Sequence, residues 1–466
     1  MKKNIKNISY TIASNMSVML FNFLQVMIVP KLLSIEHYGY WQLYLFYFSY
    51  VTLFTFGWSD GLYLRYGGVE IDEINKRKMT AQFIMICVLQ LFVSTMIIVY
   101  SYSITEHINS LIARALGIAS FFVNTTYFFT HLLQATGEFK RFAANTIVGR
   151  ILSLLALMML VLTKNVSVKI LLLNNVIITI LIFVYTFYKT KEFFLEKKVN
   201  IQKSDIREAI DNIKVGSVLM ISNTMNMFII GSVRKSIEIG WGIEIFSKVS
   251  LMLSLVSFVI TFVNAVSMVL YPYFRNKSIE DLKSIYSSLR EILLPLMGIY
   301  LLTYYPLSFI IAKWLPQYTS SLHYMLLLYP LGIIEIKMNF LNNTLLKVLR
   351  KEKVMFLLNI ISVLLSIFLS FLFTRVIRNI DFLVISIIFV LGIRMLMSDL
   401  FLSQILQVKK NKTLLFEIVI IILFYSVNIF VNNGTIVFTL GISVFIISQI
   451  SNSKKEIIHL KKTERG

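Results

Sequence analysis

Arg150, Lys337 and Arg394 stand inside long apolar runs, where a cationic head group would meet hydrocarbon rather than water. A charge at a bilayer centre costs ~2.5–3.5 kcal/mol on insertion scales, so each of these needs a partner or a task. Glu335 shares a run with Lys337, and Asp399 follows Arg394, but spacings of two and five residues do not bring side chains together on one helix. Two readings stay open. In one, the cations pair across helices with Glu335, Asp399 or asparagines and act as interhelical glue. In the other, which the excess of cations over anions favours, they line a water-filled cavity that accepts an anionic cargo. Arg114, Arg234, Lys235 and Lys248 lie nearer one mouth and extend the same cationic set, although snorkelling explains Arg114 equally well. Asp60 and Glu335 are the acids that could carry a coupling cation.

Uncharged polar residues agree with a wet interior. Asn15, Asn22 and Gln25 fall on or near one face of the first apolar run, and Asn223 and Asn226 lie in the seventh. Any one of them can be an interhelical hydrogen bond. Two polar-faced helices at matching places read instead as sugar-binding walls.

Other chemistries lack their residues. No Walker-type glycine loop and no His-Glu-x-x-His motif occurs, and the five histidines are scattered, so neither a cofactor nor a metal site is expected. Cys87 is the only cysteine, which excludes an intramolecular disulfide. No connection on the outer side is long enough for the catalytic loop of a glycan polymerase, and the chain reads as a non-enzyme.

The elements that must position these side chains are membrane spans. The 466 residues are 57% hydrophobic and 15% charged, too apolar for a soluble surface. About 14 apolar runs of ~20 residues can each cross the bilayer as helix. They centre on 10–33, 40–63, 80–104, 111–135, 142–163, 170–188, 215–233, 248–273, 291–312, 322–346, 354–374, 382–407, 414–432 and 434–451. The expected fold class is therefore an all-α polytopic membrane protein. Residues 1–188 would form a six-helix bundle, 189–214 a linker with a Ser204-capped surface helix, and 215–407 a second six-helix bundle. Residues 408–451 would add two helices and 452–466 a basic tail.

Of the 45 lysines and arginines, 32 fall at alternate connections shared with the termini and ten at the others. The positive-inside rule then puts both termini in the cytoplasm. The net charge of +21 is explained by inner-leaflet lipids as partners and needs no nucleic acid. Ser34-Ile35-Glu36 after the first span and Ser236-Ile237-Glu238 after the seventh suggest two parallel repeats with a cleft between them. Five of the six prolines, Pro272, Pro295, Pro306, Pro316 and Pro330, gather in spans eight to ten and mark an expected hinge.

Several short motifs carry a family resemblance. They are Asn15 in span one, Pro30 at its end, Tyr38-Gly39-Tyr40-Trp41, Gly57-Trp58-Ser59-Asp60-Gly61, Arg65-Tyr66-Gly67-Gly68 and Gly137-Glu138-Phe139-Lys140. On these the chain resembles the Wzx-type O-antigen and capsular polysaccharide flippases of the multidrug/oligosaccharidyl-lipid/polysaccharide (MOP) exporter superfamily. The resemblance implies two six-helix bundles around a central cavity, alternating access, and a cargo of oligosaccharide on undecaprenyl diphosphate. It also implies polysaccharide polymerase and chain-length machinery as partners. The acidic-arginine pair that often ends the seventh helix in relatives is Val233-Arg234 here, which removes a salt-bridge gate at that place. The fourteen spans resemble the lipid II flippase branch, where the extra pair forms a groove for the lipid tail. The rival reading is a multidrug/cation antiporter of the same superfamily, which would want buried acids rather than bases; a glycan polymerase is the alternative from another class.

Overall fold

The structure, a computed structural model, describes residues 2–163, 166–275, 277–408, 412–431 and 435–446, and every regular element among them is helical. The expected basic tail at 452–466 lies outside the described residues. Two compact units divide the chain, Met1–Thr224 and Met225–Gly466.

The first unit holds α1 (Lys2–Leu32), α2 (Ile35–Ser49), α3 (Trp58–Arg65), α4 (Lys76–Ser101), α5 (His107–Ala135), α6 (Phe139–Thr163), α7 (Val168–Phe194) and the start of α8 (Lys203–Arg275). Its helices turn their polar side inward. On α4, Gln82, Ile86, Gln90 and Ser94 recur every fourth residue and are buried, while Val88, Leu91, Phe92 and Met96 are more than half exposed. That is the reverse of a soluble amphipathic helix and suits a helix solvated by lipid. α5 is the central helix of the unit, with half of its span window buried.

The second span is broken. Phe56 and Gly57 both take left-handed backbone, with φ 52° and 82°, so α2 and α3 are separate pieces joined by a 3-10 turn at Val51–Thr55. A break inside a membrane frees carbonyl groups that lipid cannot satisfy. Asn124 of α5 donates to the Val51 carbonyl at 3.1 Å, and Gln90 of α4 donates to the Phe54 carbonyl at 2.8 Å. Asn124 also donates to the Gln90 side chain at 2.7 Å, which locks the two amides together. These buried polar residues are structural.

α3 then docks on the start of α8 with no side chain between the backbones. A Cβ on Gly216 would run into the Gly57 carbonyl and the Gly61 amide, and one on Gly61 would strike Asn212. The interval read as a linker is tied down at the same place. Arg77 makes a bidentate pair with Asp205 at 2.7 and 2.9 Å, Gln82 donates to the Asp205 carbonyl, and Arg65 donates to Asn212 at 2.7 Å. Residues 203–214 are thus the first turns of a membrane helix. The expected cap is replaced as well, since the Asp205 carboxylate, and not Ser204, accepts the Gln202 backbone N–H. Gly216→Ala is expected to lower stability by about 1–3 kcal/mol through overpacking, read as a lower melting temperature in detergent, whereas Gly137→Ala meets no neighbour and should strain only its own positive φ.

The second unit contains the rest of α8, then α9 (Ile279–Leu302), α10 (Tyr304–Trp314), α11 (Leu322–Leu328), α12 (Leu331–Lys337), α13 (Asn343–Val348), α14 (Glu352–Phe371), α15 (Ile380–Ile405) and α16 (Lys412–Phe430). A short apolar helix, α17, covers Thr435–Ile446. α8 is continuous except at Gly242, whose φ of 80° and ψ of −179° bend it into two spans. Ser236 therefore lies within a helix, whereas Ser34 caps α2 by accepting the His37 N–H. The Ser-Ile-Glu echo does not mark equivalent turns.

The tenth span bends by 41° between its halves at Tyr329–Pro330, and a π-helical turn at Met338–Asn342 interrupts it again. Proline removes a helical N–H and π turns widen the ladder, so both irregularities have local causes. By length and apolarity alone ten helices among the described residues can cross a membrane, or eleven with this bent pair. Splitting α8 at Gly242 and adding the broken α2–α3 span and α17 agrees with the expected count of about 14.

Candidate functional site

Arg150 lies on α6, about 16 Å along the helix at 1.5 Å per residue. Its side chain is half-buried, and its guanidinium sits over the Phe21 ring of α1 at 5.5 Å from the centroid. Among the described residues no carboxylate comes within ion-pair distance of it. The ring face holds the cation in place without neutralising it. Arg150 keeps its charge without a carboxylate counter-ion among the described residues.

Lys337 and Arg394 do not. The expectation that they are unpartnered is corrected by their ion pairs. Lys337 Nζ lies 2.7 Å from the Glu417 carboxylate of α16 and 3.4 Å from Asp399 of α15. Asp399 also pairs with Arg290 of α9 at 3.0 Å and accepts the Tyr286 hydroxyl at 2.7 Å. Arg394 faces Glu335 at 3.5 Å and donates to the side chains of Asn226 and Asn359. All five charged groups of the first cluster and its neighbour, Arg290, Lys337, Arg394, Asp399 and Glu417, are at most 3% exposed. The physical reason is register. Glu335 and Lys337 point to different neighbours on α15, so the charges that could not pair within a helix pair between helices. Buried at this depth, each cation needs its counter-ion nearby.

The remaining cations are spread out. Arg114 stacks on Tyr102 at 4.7 Å near the start of α5. Arg234 donates to Ser250 at 3.1 Å and lies over Phe246, and Lys235 pairs with Glu238. Lys248 is half-buried. Of the polar walls, Asn15 is half-buried, Asn22 and Asn223 are exposed, and Asn226 is taken by Arg394. Glu335 is engaged by Arg394 and by Asn339, which donates to it at 2.7 Å. Asp60 is 4% exposed in the first unit, with His131 Nε2 at 3.9 Å, outside hydrogen-bonding reach. Tyr127 lies against the His131 ring.

Sequence reasoning missed Glu417, Arg290 and Asn359. Glu417 is the lone acid in an otherwise apolar α16, and that isolation was the available signal. Arg290 gives no such signal, since it stands close after Lys277 and Lys283 at the basic end of its apolar run. Among the described residues no group of three or more histidine, cysteine, aspartate or glutamate side chains could hold a metal ion.

No family model and no curated protein matches the chain. Solved structures do. One of the lipid II flippase MurJ in an inward closed conformation matches with TM-score 0.67 at 13% identity, over 97% of this chain and 100% of that one. An inward-facing multidrug resistance MATE family transporter of the MOP superfamily matches with TM-score 0.62 at 11% identity, over 84% of this chain and 94% of that one. A MOP superfamily transporter from Pyrococcus furiosus, described as having a binding pocket of reverse polarity, matches with TM-score 0.52 at 12% identity, over 88% and 97%. The chain has the fold of MOP superfamily transporters.

Proposed function

We propose that this protein translocates oligosaccharide repeat units linked to undecaprenyl diphosphate across the bacterial cytoplasmic membrane, by alternating access, for surface polysaccharide assembly. The observation that carries the proposal is Arg150, a guanidinium held mid-span on an aromatic face with no carboxylate in reach among the described residues. A fixed, uncompensated cation in a membrane helix favours an anionic guest, and guanidinium matches phosphate oxygens in charge and fork geometry. The likeness to a lipid II flippase across 97% of the chain supports a lipid-borne cargo. With cytoplasmic termini, outward movement of each negative charge gains ~2.3 kcal/mol per 100 mV of inside-negative potential, which offsets part of the cost of desolvating a diphosphate. Arg114 and Lys248 are the further cations proposed for its path; Lys337 and Arg394 leave the proposed set because they are already neutralised.

Of the two acids considered for coupling, Glu335 is occupied by Arg394, so any cation coupling falls to Asp60. Asp60→Asn is expected to abolish the dependence of transport on an imposed ion or proton gradient while leaving cargo binding intact, measured in reconstituted vesicles. The rival reading, export of organic cations, draws on the same buried acid. The deciding experiment reconstitutes the purified protein with a fluorescent undecaprenyl diphosphate oligosaccharide and follows the fraction protected from an external quencher. Protein-dependent loss of protection supports the proposal; loss of protection no faster than in empty vesicles, together with uptake of an organic cation, refutes it.

A further inference from the structure

The surroundings of Arg394 do not suit an arginine. A guanidinium carries five N–H donors in a flat fork, yet Arg394 Nε and Nη2 are buried without a hydrogen-bond acceptor. Its side chain is 2% exposed, so the cationic head is withdrawn from bulk solvent. What surrounds it is a set of oxygens from separate helices: Asn226 Oδ1 of α8, Asn359 Oδ1 of α14 at 3.3 Å, and Glu335 Oε1 of α12 at 3.5 Å. The π-helical turn that follows α12 carries Asn339, which holds the second Glu335 oxygen at 2.7 Å and so aims the first. One turn along α15, Ser398 Oγ is buried with no partner of its own. Converging amide and carboxylate oxygens are the donor set of a hard cation. With a single carboxylate, the set balances one positive charge; a divalent ion would leave a net charge buried.

We propose that Arg394 is a tethered cation filling an oxygen-lined cage in the second unit, a cage that would otherwise take a free monovalent metal ion. The guanidinium supplies the charge that Glu335 requires, and its poorly met donors are the consequence of placing a fork where a sphere fits. The wild-type chain therefore has no requirement for sodium at this place, and removing the guanidinium creates a sodium site.

The test is thermal unfolding of the full-length protein in detergent, without cargo, in sodium chloride against choline chloride. Its result is independent of whether the protein is a flippase. Wild type, with the cage already filled by Arg394, sets the reference for any sodium effect elsewhere in the chain, Asp60 included. Arg394→Ala is expected to be less stable in choline and to regain roughly 4 °C or more in sodium through ligand binding to the folded state. Arg394→Ala/Glu335→Gln, which lacks the anionic ligand, should lose that response. Arg394→Gln keeps more of the side-chain volume and serves as the second variant should Arg394→Ala fail to fold; it too should respond to sodium. A sodium shift in folded Arg394→Ala and Arg394→Gln that is no larger than that of wild type, up to molar concentration, overturns the proposal.

Discussion

Replacing Arg150 by glutamine should slow translocation by about 10- to 100-fold, the range that a lost charge-assisted hydrogen bond of ~1.5–3 kcal/mol allows. The same change should leave insertion and folding intact. Arg150 has no carboxylate in reach among the described residues, so its removal strands no buried counter-charge; only the contact with Phe21 is lost. Arg150→Lys keeps the charge but not the planar fork, and should retain part of the activity. The measurements are the initial rate in reconstituted vesicles and the melting temperature in detergent. A variant that loses activity and stability in parallel would mean that Arg150 is a packing residue.

Lys337 should show the opposite behaviour. It is 1% exposed and bridges Glu417 and Asp399, while Arg290 shares the same Asp399 oxygen. Two cations and two anions make this cluster neutral. Lys337→Met leaves two carboxylates against one arginine, and Glu417→Gln leaves two cations against one carboxylate. Breaking a buried pair from one side costs about 3–5 kcal/mol, so either single variant should be poorly folded. Lys337→Met/Glu417→Gln keeps the Arg290–Asp399 pair alone and neutral, and should be more stable than either single variant. A double variant whose loss is the sum of the two would show that the residues act separately. Since Glu417 is on α16, the cycle also measures how firmly that helix is built into its unit.

Span number and the mid-span position of Arg150 could be read from the sequence, because they follow from one-dimensional spacing and the cost of charge in hydrocarbon. The partners of Lys337 and Arg394 could not. Glu335, Asp399 and asparagines stand open as interhelical partners in the sequence, but which cation meets which depends on the mutual register of α8, α12, α14, α15 and α16, which a single sequence does not record. Glu417 was legible in principle as a lone acid in an apolar run, but the run as a whole read as lipid-facing. Gly57 and Gly61 stand in a motif and Gly216 in an apolar run; their packing role emerges only when α3 lies on α8. Asn124 and Gln90 were invisible for a related reason. They answer a backbone break at Phe56–Gly57 that hydropathy alone passes over as one span.

The most direct test of the central claim is the voltage dependence of transport in oriented vesicles loaded with undecaprenyl diphosphate oligosaccharide on the side of the termini. The account predicts that an imposed potential, negative on the loaded side, accelerates movement of the anionic lipid, and that Arg150→Gln removes most of the rate. Movement that ignores the potential and proceeds equally well in Arg150→Gln would contradict it.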